Sequence, residues 1–372
     1  MKISVAVIND LVTDQRVHRT CTMLHEMGHE VTLIGRKRRK SPPMDTRSYG
    51  YIRMRLLFEK GALFYAFFNI RLFLRLLFSK FDAVWANDLD TLWACHMASK
   101  WKRKKIIYDS HEFFTEVPEL QGRKFVKRFW ERIERRIFPK LPFIITVNDS
   151  IARLYEEIYG KKLFVVRNVP MSLPDVQIRS REELKLPGDK KIIILQGSGI
   201  NIDRGAEEAV QAMEIVENAV LVLVGGGDVF PVLHRMMEDN ENLQQKVIIR
   251  GRVPREELFS YTSHADIGLT LDKSTNINYL YSLPNKVFDY LQAGTAVLCS
   301  DLPEVSKIVK ENDCGKVISN LSTENIAYTL NEMLSDEKIL EHWKKNANLA
   351  AQNLCWEKES KRIEHEIRQF LQ

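Results

Sequence analysis

Ile3 to Gly35 reads ISVAVINDLVTDQRVHRTCTMLHEMGHEVTLIG, and this stretch decides the fold class. Ile3 to Ile8 is apolar and β-branched, the pattern of a strand buried on both faces. The loop NDLVTDQRV follows. A helix from about Arg16 to Met27 stops at Gly28, a typical C-terminal stop. EVTLIG is the next buried strand. Strand, loop, helix, strand is the opening of a doubly wound α/β domain. Such folds bind ligands at the carboxyl ends of their strands, so Asp14 and Arg16 in the first loop are site candidates. Asp14 reads equally well as the cap of the helix.

The same alternation continues outward. Residues 36–55 are basic and irregular. Leu63 to Lys80 is strongly apolar and carries Arg71, Arg75 and Lys80. Strand FDAVWAND leaves through Asn87-Asp88-Leu89-Asp90, and strand KIIYD leaves through Ser110-His111-Glu112. Residues 122–140, GRKFVKRFWERIERRIFPK, hold eight cations against two carboxylates. Phe125, Phe129, Ile133 and Ile137 recur every four residues there, which predicts a basic amphipathic helix. FIITVND and LFVVRNVP complete a first domain over residues 1–172. Residues 173–190 are polar with two prolines and read as a linker. Strand KIIILQGSG then restarts the pattern for a second domain, 191–352, and residues 353–372 form a last helix.

At 372 residues the chain is long enough for two domains, each with its own core. Composition is that of a globular protein, 45% hydrophobic and 28% charged. Five scattered cysteines show no metal-ligand spacing and read as reduced core thiols of a cytoplasmic protein. The N-terminal apolar run is too short for a signal peptide. No transmembrane helix is expected; Ala62 to Phe78 comes nearest, interrupted by Arg71 and Arg75. The net charge of +6 hides an asymmetry. Residues 1–172 hold 32 Lys and Arg against 18 Asp and Glu, a net of +14; the remainder hold 23 against 31, a net of −8. A basic half beside an acidic half points to an anionic surface or ligand for the first.

The densest chemistry lies at Ser282 to Gly294, SLPNKVFDYLQAG. Pro284 suits a first helical turn, and Ser282 or Asn285 could cap it. Lys286 beside free amides makes an anion site, and Asp289 one turn on suits a ribose diol. A capped helix with solvated Lys286 and Asp289 is the plainer alternative. Arg204 follows the first strand of the second domain, after Gly197, Ser198 and Gly199, which leave room for phosphate. With Lys286 it could clamp a diphosphate. GGGD at 225–228, with Gly226, allows close ligand approach or merely a tight turn. Neither G-x-G-x-x-G nor G-x-x-x-x-G-K-[ST] occurs, against dinucleotide oxidoreductases and P-loop NTPases. His111, between Asp109-Ser110 and Glu112, becomes a site candidate from its place after a strand.

These segments resemble the retaining, sugar-nucleotide-dependent glycosyltransferases of family 4. RVHRTCTMLHEMGHEVTLIG, NDLDTL, YDSHE, ITVND and VVRNVP look like its first-domain segments. RGAEEAVQAM, LVLVGGGD, GRVPREELFSYTSHADIGL and SLPNKVFDYLQAGTAVLCSDLPE follow in the family's order, so the resemblance covers nearly the whole chain. It implies a GT-B fold: two Rossmann-like β/α/β domains facing a central cleft, with the C-terminal helix crossing back to the first domain. It implies that Asp289 holds the ribose, that Asn285, Lys286 and Arg204 hold the diphosphate, and that Arg252 lies by the base. His111 would touch the donor sugar, and Asp14 and Arg16, with Asp88, would face the acceptor. The family's first acid falls eight residues before Asp289, where this chain has Tyr281.

The expected activity is transfer of a hexosyl unit from a nucleoside-diphosphate sugar to a hydroxyl, with retention. His111, Arg204 and Lys286 are the expected catalytic residues; no metal and no cofactor beyond the donor substrate is expected. Positive charge at Arg204, Lys286 and the helix start would stabilise the departing diphosphate. The acceptor would be a saccharide or lipid-linked saccharide in cell-surface polysaccharide or glycan assembly. Helix 122–140 and the 62–80 stretch could rest on an anionic inner membrane face, or be a solvated helix and a core helix. The rival readings are a sugar-nucleotide 2-epimerase of the same fold and a non-enzymatic anion- or nucleic-acid-binding protein. No nucleic-acid motif supports the last.

Overall fold

Apolar, β-branched runs become the strands, and every strand pairing is parallel, as runs buried on both faces require. The computed structural model describes residues 1–172 and 176–372. They form two compact units, Met1–Asn168 with Glu359–Gln372, and Val169–Lys358.

The first unit holds strands β1 (Lys2–Asp10), β2 (Glu30–Lys37), β3 (Gly50–Arg55), β4 (Ala83–Asn87), β5 (Lys105–Ser110), β6 (Phe143–Thr146) and β7 (Phe164–Val165). Their order is β3-β2-β1-β4-β5-β6-β7. The order reverses between β1 and β4, which opens a crevice at their carboxyl ends. Asn87 spans that junction, its side-chain amide donating to the Ala6 carbonyl at 2.8 Å. The next residue, Asp88, turns the chain with φ +60°, a left-handed conformation uncommon outside glycine. The helix Gly61–Phe78 has the length and composition of a membrane span. Here it packs Phe64, Phe68, Leu72 and Leu76 inward, in contact with the helix Leu89–Lys102. In the helix Lys124–Ile137 the expected apolar row does not face the core throughout. Trp130, Glu134 and Ile137 are buried, whereas Phe125 and Phe129 are exposed. Trp130 takes the inner position because its ring meets those of Tyr65 and Phe114 edge-on.

The last helix, Trp356–Leu371, belongs to the first unit from Glu359 onward. Glu359 accepts the Arg167 amide at 2.8 Å, and Lys105 donates to the final carbonyls of Phe370 and Leu371. A cation at a helix C-terminus satisfies carbonyls that have no partner within the helix.

The second unit holds β8 (Lys191–Gly197), β9 (Ala219–Gly225), β10 (Val247–Arg250), β11 (Ile267–Thr270), β12 (Ala296–Ser300) and β13 (Gly315–Ile318), in the order β10-β9-β8-β11-β12-β13. Its switch point lies between β8 and β11. Ile193, Leu195, Leu221, Leu223 and Leu269 form the centre of its core. The described part of the stretch expected as a linker, 173–190, is packed on this unit. Leu184 and Leu186 are buried, and Tyr261 donates to the Leu184 carbonyl at 3.4 Å. Two leucines within that polar stretch suffice to dock it. The rest of it, residues 173–175, lies outside the described residues.

Candidate donor site

The carboxyl edge of the second sheet gathers most of the candidate residues. Gly197 and Gly225 are register partners on β8 and β9. Gly225 has φ +138°, and a Cβ there would lie 1.8 Å from the Gly197 carbonyl oxygen, so only glycine fits. The Gly226 amide donates to Gly197 at 3.1 Å, and its carbonyl accepts from Ile200 at 2.8 Å. Arg252 crosses these loops and donates to the Ser198 carbonyl at 3.0 Å. Gly197, Ser198, Gly199, Gly226 and Arg252 thus share one surface. Asp228 is not part of it as a ligand group, because it clamps the loop by accepting the Ile202 amide at 2.9 Å.

The helix Asn285–Ala293 carries the second group. Its buried residues Val287, Phe288, Tyr290 and Leu291 fix it to the sheet. Tyr290 donates to the Leu269 carbonyl at 3.0 Å. Neither expected cap serves. Pro284 occupies the N-cap position and makes no side-chain cap bond, and Ser282 donates instead to the Tyr279 carbonyl. Proline's fixed φ and the extended backbone before Asn285 set the entry.

Arg204 and Lys286 do converge, through a residue the sequence reading passed over. Asp272, two residues beyond β11, accepts from Arg204 at 2.8 Å and lies 3.6 Å from the Lys286 ammonium. Thr270 donates to its other oxygen at 3.1 Å. Burial opposes ionisation of Asp272, but Lys286 and Arg204 outweigh it and hold the carboxyl below the ordinary aspartate range. Burial, aided by Arg204 against Asp272, lowers the Lys286 pKa. Burial also works against Arg204, but Asp272 prevails and raises it. The Arg204 guanidinium further sits 4.3 Å from the centre of the Tyr279 ring. Two cations against one carboxylate leave this three-residue cluster with a net positive charge. The available signal for Asp272 was a single carboxylate closing an apolar strand run. Gln196 was missed in the same way inside KIIILQGSG. Its amide donates to Asp289 at 3.2 Å while its oxygen accepts from Thr262 at 2.6 Å, which orients Asp289 at the edge of β8. Tyr281 closes the short helix Ile277–Leu280 and is half-buried.

In the first unit the expected acceptor residues take structural roles. Asp14 caps the helix Gln15–Glu26, accepting the Val17 amide at 3.1 Å and the Asn9 side chain at 3.0 Å. Arg16 is buried and binds Asp109 at 2.7 Å and the Val166 carbonyl at 2.8 Å. Asp88 accepts the His111 amide at 2.8 Å and lies 3.1 Å from its Nδ1. The helical start points Asp14 at its own backbone, and the parallel order of β4 and β5 aims the other side chains at one another. His111 Nε2 stands 3.5 Å from Asp109 and makes no well-formed hydrogen bond. Burial disfavours the charged ring, but Asp88 and Asp109 overcome it and raise its pKa to about 10. Burial likewise disfavours the Asp109 charge, and Arg16 and His111 reverse it, holding that carboxyl well below its usual range. The two carboxylates thus favour the imidazolium form of His111, which suits it to donate a hydrogen bond more than to act as a base.

Residues 14–169 match the family described as Glycosyltransferase Family 4, and residues 176–350 match Glycosyl transferases group 1. The chain belongs to the family 4 glycosyltransferases and has their GT-B fold. Sucrose-phosphate synthase from Thermosynechococcus elongatus is similar in structure, with a TM-score of 0.80 at 17% identity over 99% of this chain and 98% of that one. Anabaena Alr3699/HepE in complex with UDP gives 0.71 at 13% identity, over 99% of this chain and 100% of that one. WaaG, a glycosyltransferase involved in lipopolysaccharide biosynthesis, gives 0.64 at 16% over 97% and 99%. At these identities the likeness is one of fold. No curated protein matches the chain in sequence.

Proposed function

We propose that this glycosyltransferase moves a hexosyl unit from a nucleoside-diphosphate sugar to a hydroxyl acceptor, with retention and without a metal. The observation that carries this reading is the Arg204–Asp272–Lys286 cluster at the carboxyl edge of the second sheet. Its surplus positive charge suits a diphosphate and would stabilise it as it leaves, the charge that builds in the transition state. Asp289, oriented by Gln196, suits the ribose hydroxyls, and the glycine loops with Arg252 suit the rest of the nucleotide. Alr3699/HepE has been solved with UDP-glucose, which supports a donor of this class for the shared fold. His111, whose proton Asp88 and Asp109 hold, is poorly suited to take the acceptor proton; in this reading a leaving-phosphate oxygen does. The acceptor is a saccharide or lipid-linked saccharide of cell-surface glycan assembly, met from the cytoplasmic side at an anionic membrane face.

Thermal shift against UDP-, GDP- and ADP-sugars tests the donor site. One nucleotide series should raise the melting temperature in the presence of EDTA. Lys286→Ala should lose most of that rise, as removal of a charge-assisted partner worth roughly 1.5–3 kcal/mol requires. A full shift in Lys286→Ala would overturn the phosphate assignment. Turnover should yield a product with the donor's anomeric configuration by NMR; an epimerised donor formed without acceptor would replace transfer by epimerisation.

A further inference from the structure

The helix Gly61–Phe78 carries two apolar stripes, and the fold uses one. Phe64, Phe68, Leu72 and Leu76, four apart, are buried in the first unit. Leu63, Phe67, Ile70, Leu74 and Phe78 recur at spacings of four and three, which places them on one other face. Leu63, Ile70, Leu74 and Phe78 are exposed, Phe78 to 84% and Leu74 to 45%. Single exposed apolar residues are ordinary, but an aligned row about 22 Å long marks an interaction surface.

Beside that row runs a groove of about 900 Å³ between the helix and β3, the edge strand of the sheet. Leu74 and Phe78 form part of its wall, and none of the described residues that line it is a carboxylate. Lys37, Arg55, Arg71 and Arg75 do. Arg71 is anchored on the Arg55 carbonyl. Among the described residues, Lys37, Arg55 and Arg75 have no ion-pair partner within 4 Å. Cations along an edge strand are often only protection against strand pairing. That role does not explain the apolar row next to them. A second copy of the chain would bring like charges together across this edge. Apolar side chains flanked by unpaired cations are instead complementary to phosphate headgroups above acyl chains.

We propose that the Leu63–Phe78 face and the Lys37, Arg55 and Arg75 groove beside it dock the protein on an anionic phospholipid bilayer. The row enters the acyl boundary, and the groove holds headgroup phosphates. The proposal deepens the membrane-side reading of the acceptor above, but vesicle binding needs neither donor nor turnover. Its failure would leave the nucleotide shifts untouched.

Flotation with vesicles of phosphatidylglycerol in phosphatidylcholine, at about 50 mM salt, should carry the full chain upward, and pure phosphatidylcholine should not. High salt should release it. Lys37→Glu with Arg75→Glu should weaken binding by roughly tenfold or more, given about fivefold per cation near such a surface. Leu74→Ser with Phe78→Ser should also weaken it and leave its salt dependence in place. All four positions are at least partly exposed, and unchanged melting temperatures will show that the variants fold. Equal binding to neutral vesicles, or wild-type binding by both double variants, would overturn the proposal. The second result would move docking to the exposed Phe125 and Phe129. Inorganic diphosphate at about 1 mM should not displace the vesicles, because one small anion competes with many headgroups. Displacement would mean a site for free phosphates. A wild-type dimer in light scattering that dissociates in Phe78→Ser would mean self-association.

Discussion

Asp272 shows what a single side chain contributes to this site. It lies 2.8 Å from Arg204 and 3.6 Å from Lys286, and it is fully buried. Without it two cations would face each other in a low-dielectric pocket. Removing one partner of a buried charge group costs more than the group is worth, because the remaining charge is left uncompensated. Asp272→Ala should therefore lose roughly 3–5 kcal/mol of stability in urea. A bound nucleoside diphosphate would supply the missing negative charge, so its thermal shift should be larger in Asp272→Ala than in the wild type. Stability within about 1 kcal/mol of wild type, within the range of a minor surface change, would show that the cluster does not depend on this carboxylate. Arg204 and Lys286 were legible in the sequence as a pair. Their link was not, because it sits 68 residues from Arg204 and depends on where β11 ends.

At the scale of elements, glycines at strand ends set the site's shape. GGGD at 225–228 read in the sequence as either a ligand loop or a turn. The structure gives Gly225 a steric role, since its missing side chain lets β9 close on Gly197. Gly227 does the same against the Ile200 carbonyl, 1.8 Å from a built Cβ. Gly225→Ala must move backbone against backbone and adopt an unfavourable φ, which together cost roughly 2 kcal/mol or more. The expected results are a lower urea midpoint and a weaker nucleotide shift, because Ser198 and Gly226 move with the strand ends. An unchanged midpoint would contradict the close approach. The helix Gly61–Phe78 makes the opposite point. Its composition was plain, but which of its apolar stripes is buried depends on β1 and the neighbouring helix.

For the molecule as a whole, the buried charges give stability a pH signature. The folded-state pKa of His111, about 10, exceeds the ordinary histidine value near 6.5. A raised pKa means that the folded protein holds the proton more tightly than the unfolded chain. The resulting stabilisation is complete below about pH 6.5 and fades as the pH rises toward 10. Asp109 acts in the other direction, being depressed, so its share is present above the ordinary aspartate range and lost in acid. Urea unfolding of the full chain and of His111→Asn should thus differ most near pH 6 and converge toward pH 10. A gap that stays constant with pH would mean that His111 is neutral in the folded state. The same groups tie the first unit together, since Arg16 joins Asp109 on β5 to the Val166 carbonyl just past β7.

The amino-acid sequence by itself determined the alternation of strands and helices, the restart at KIIILQGSG, the strand ends that Arg204 and His111 follow, and the helix start that carries Lys286 and Asp289. These follow from local pattern, because period, β-branching and helix stops act over a few residues. Only the tertiary structure decided which charges meet. It set Asp272 between Arg204 and Lys286, turned Asp14 and Arg16 into cap and strut, and left one face of Gly61–Phe78 uncovered. Such pairings join residues tens of positions apart, and strand order, not local pattern, brings them within hydrogen-bonding reach.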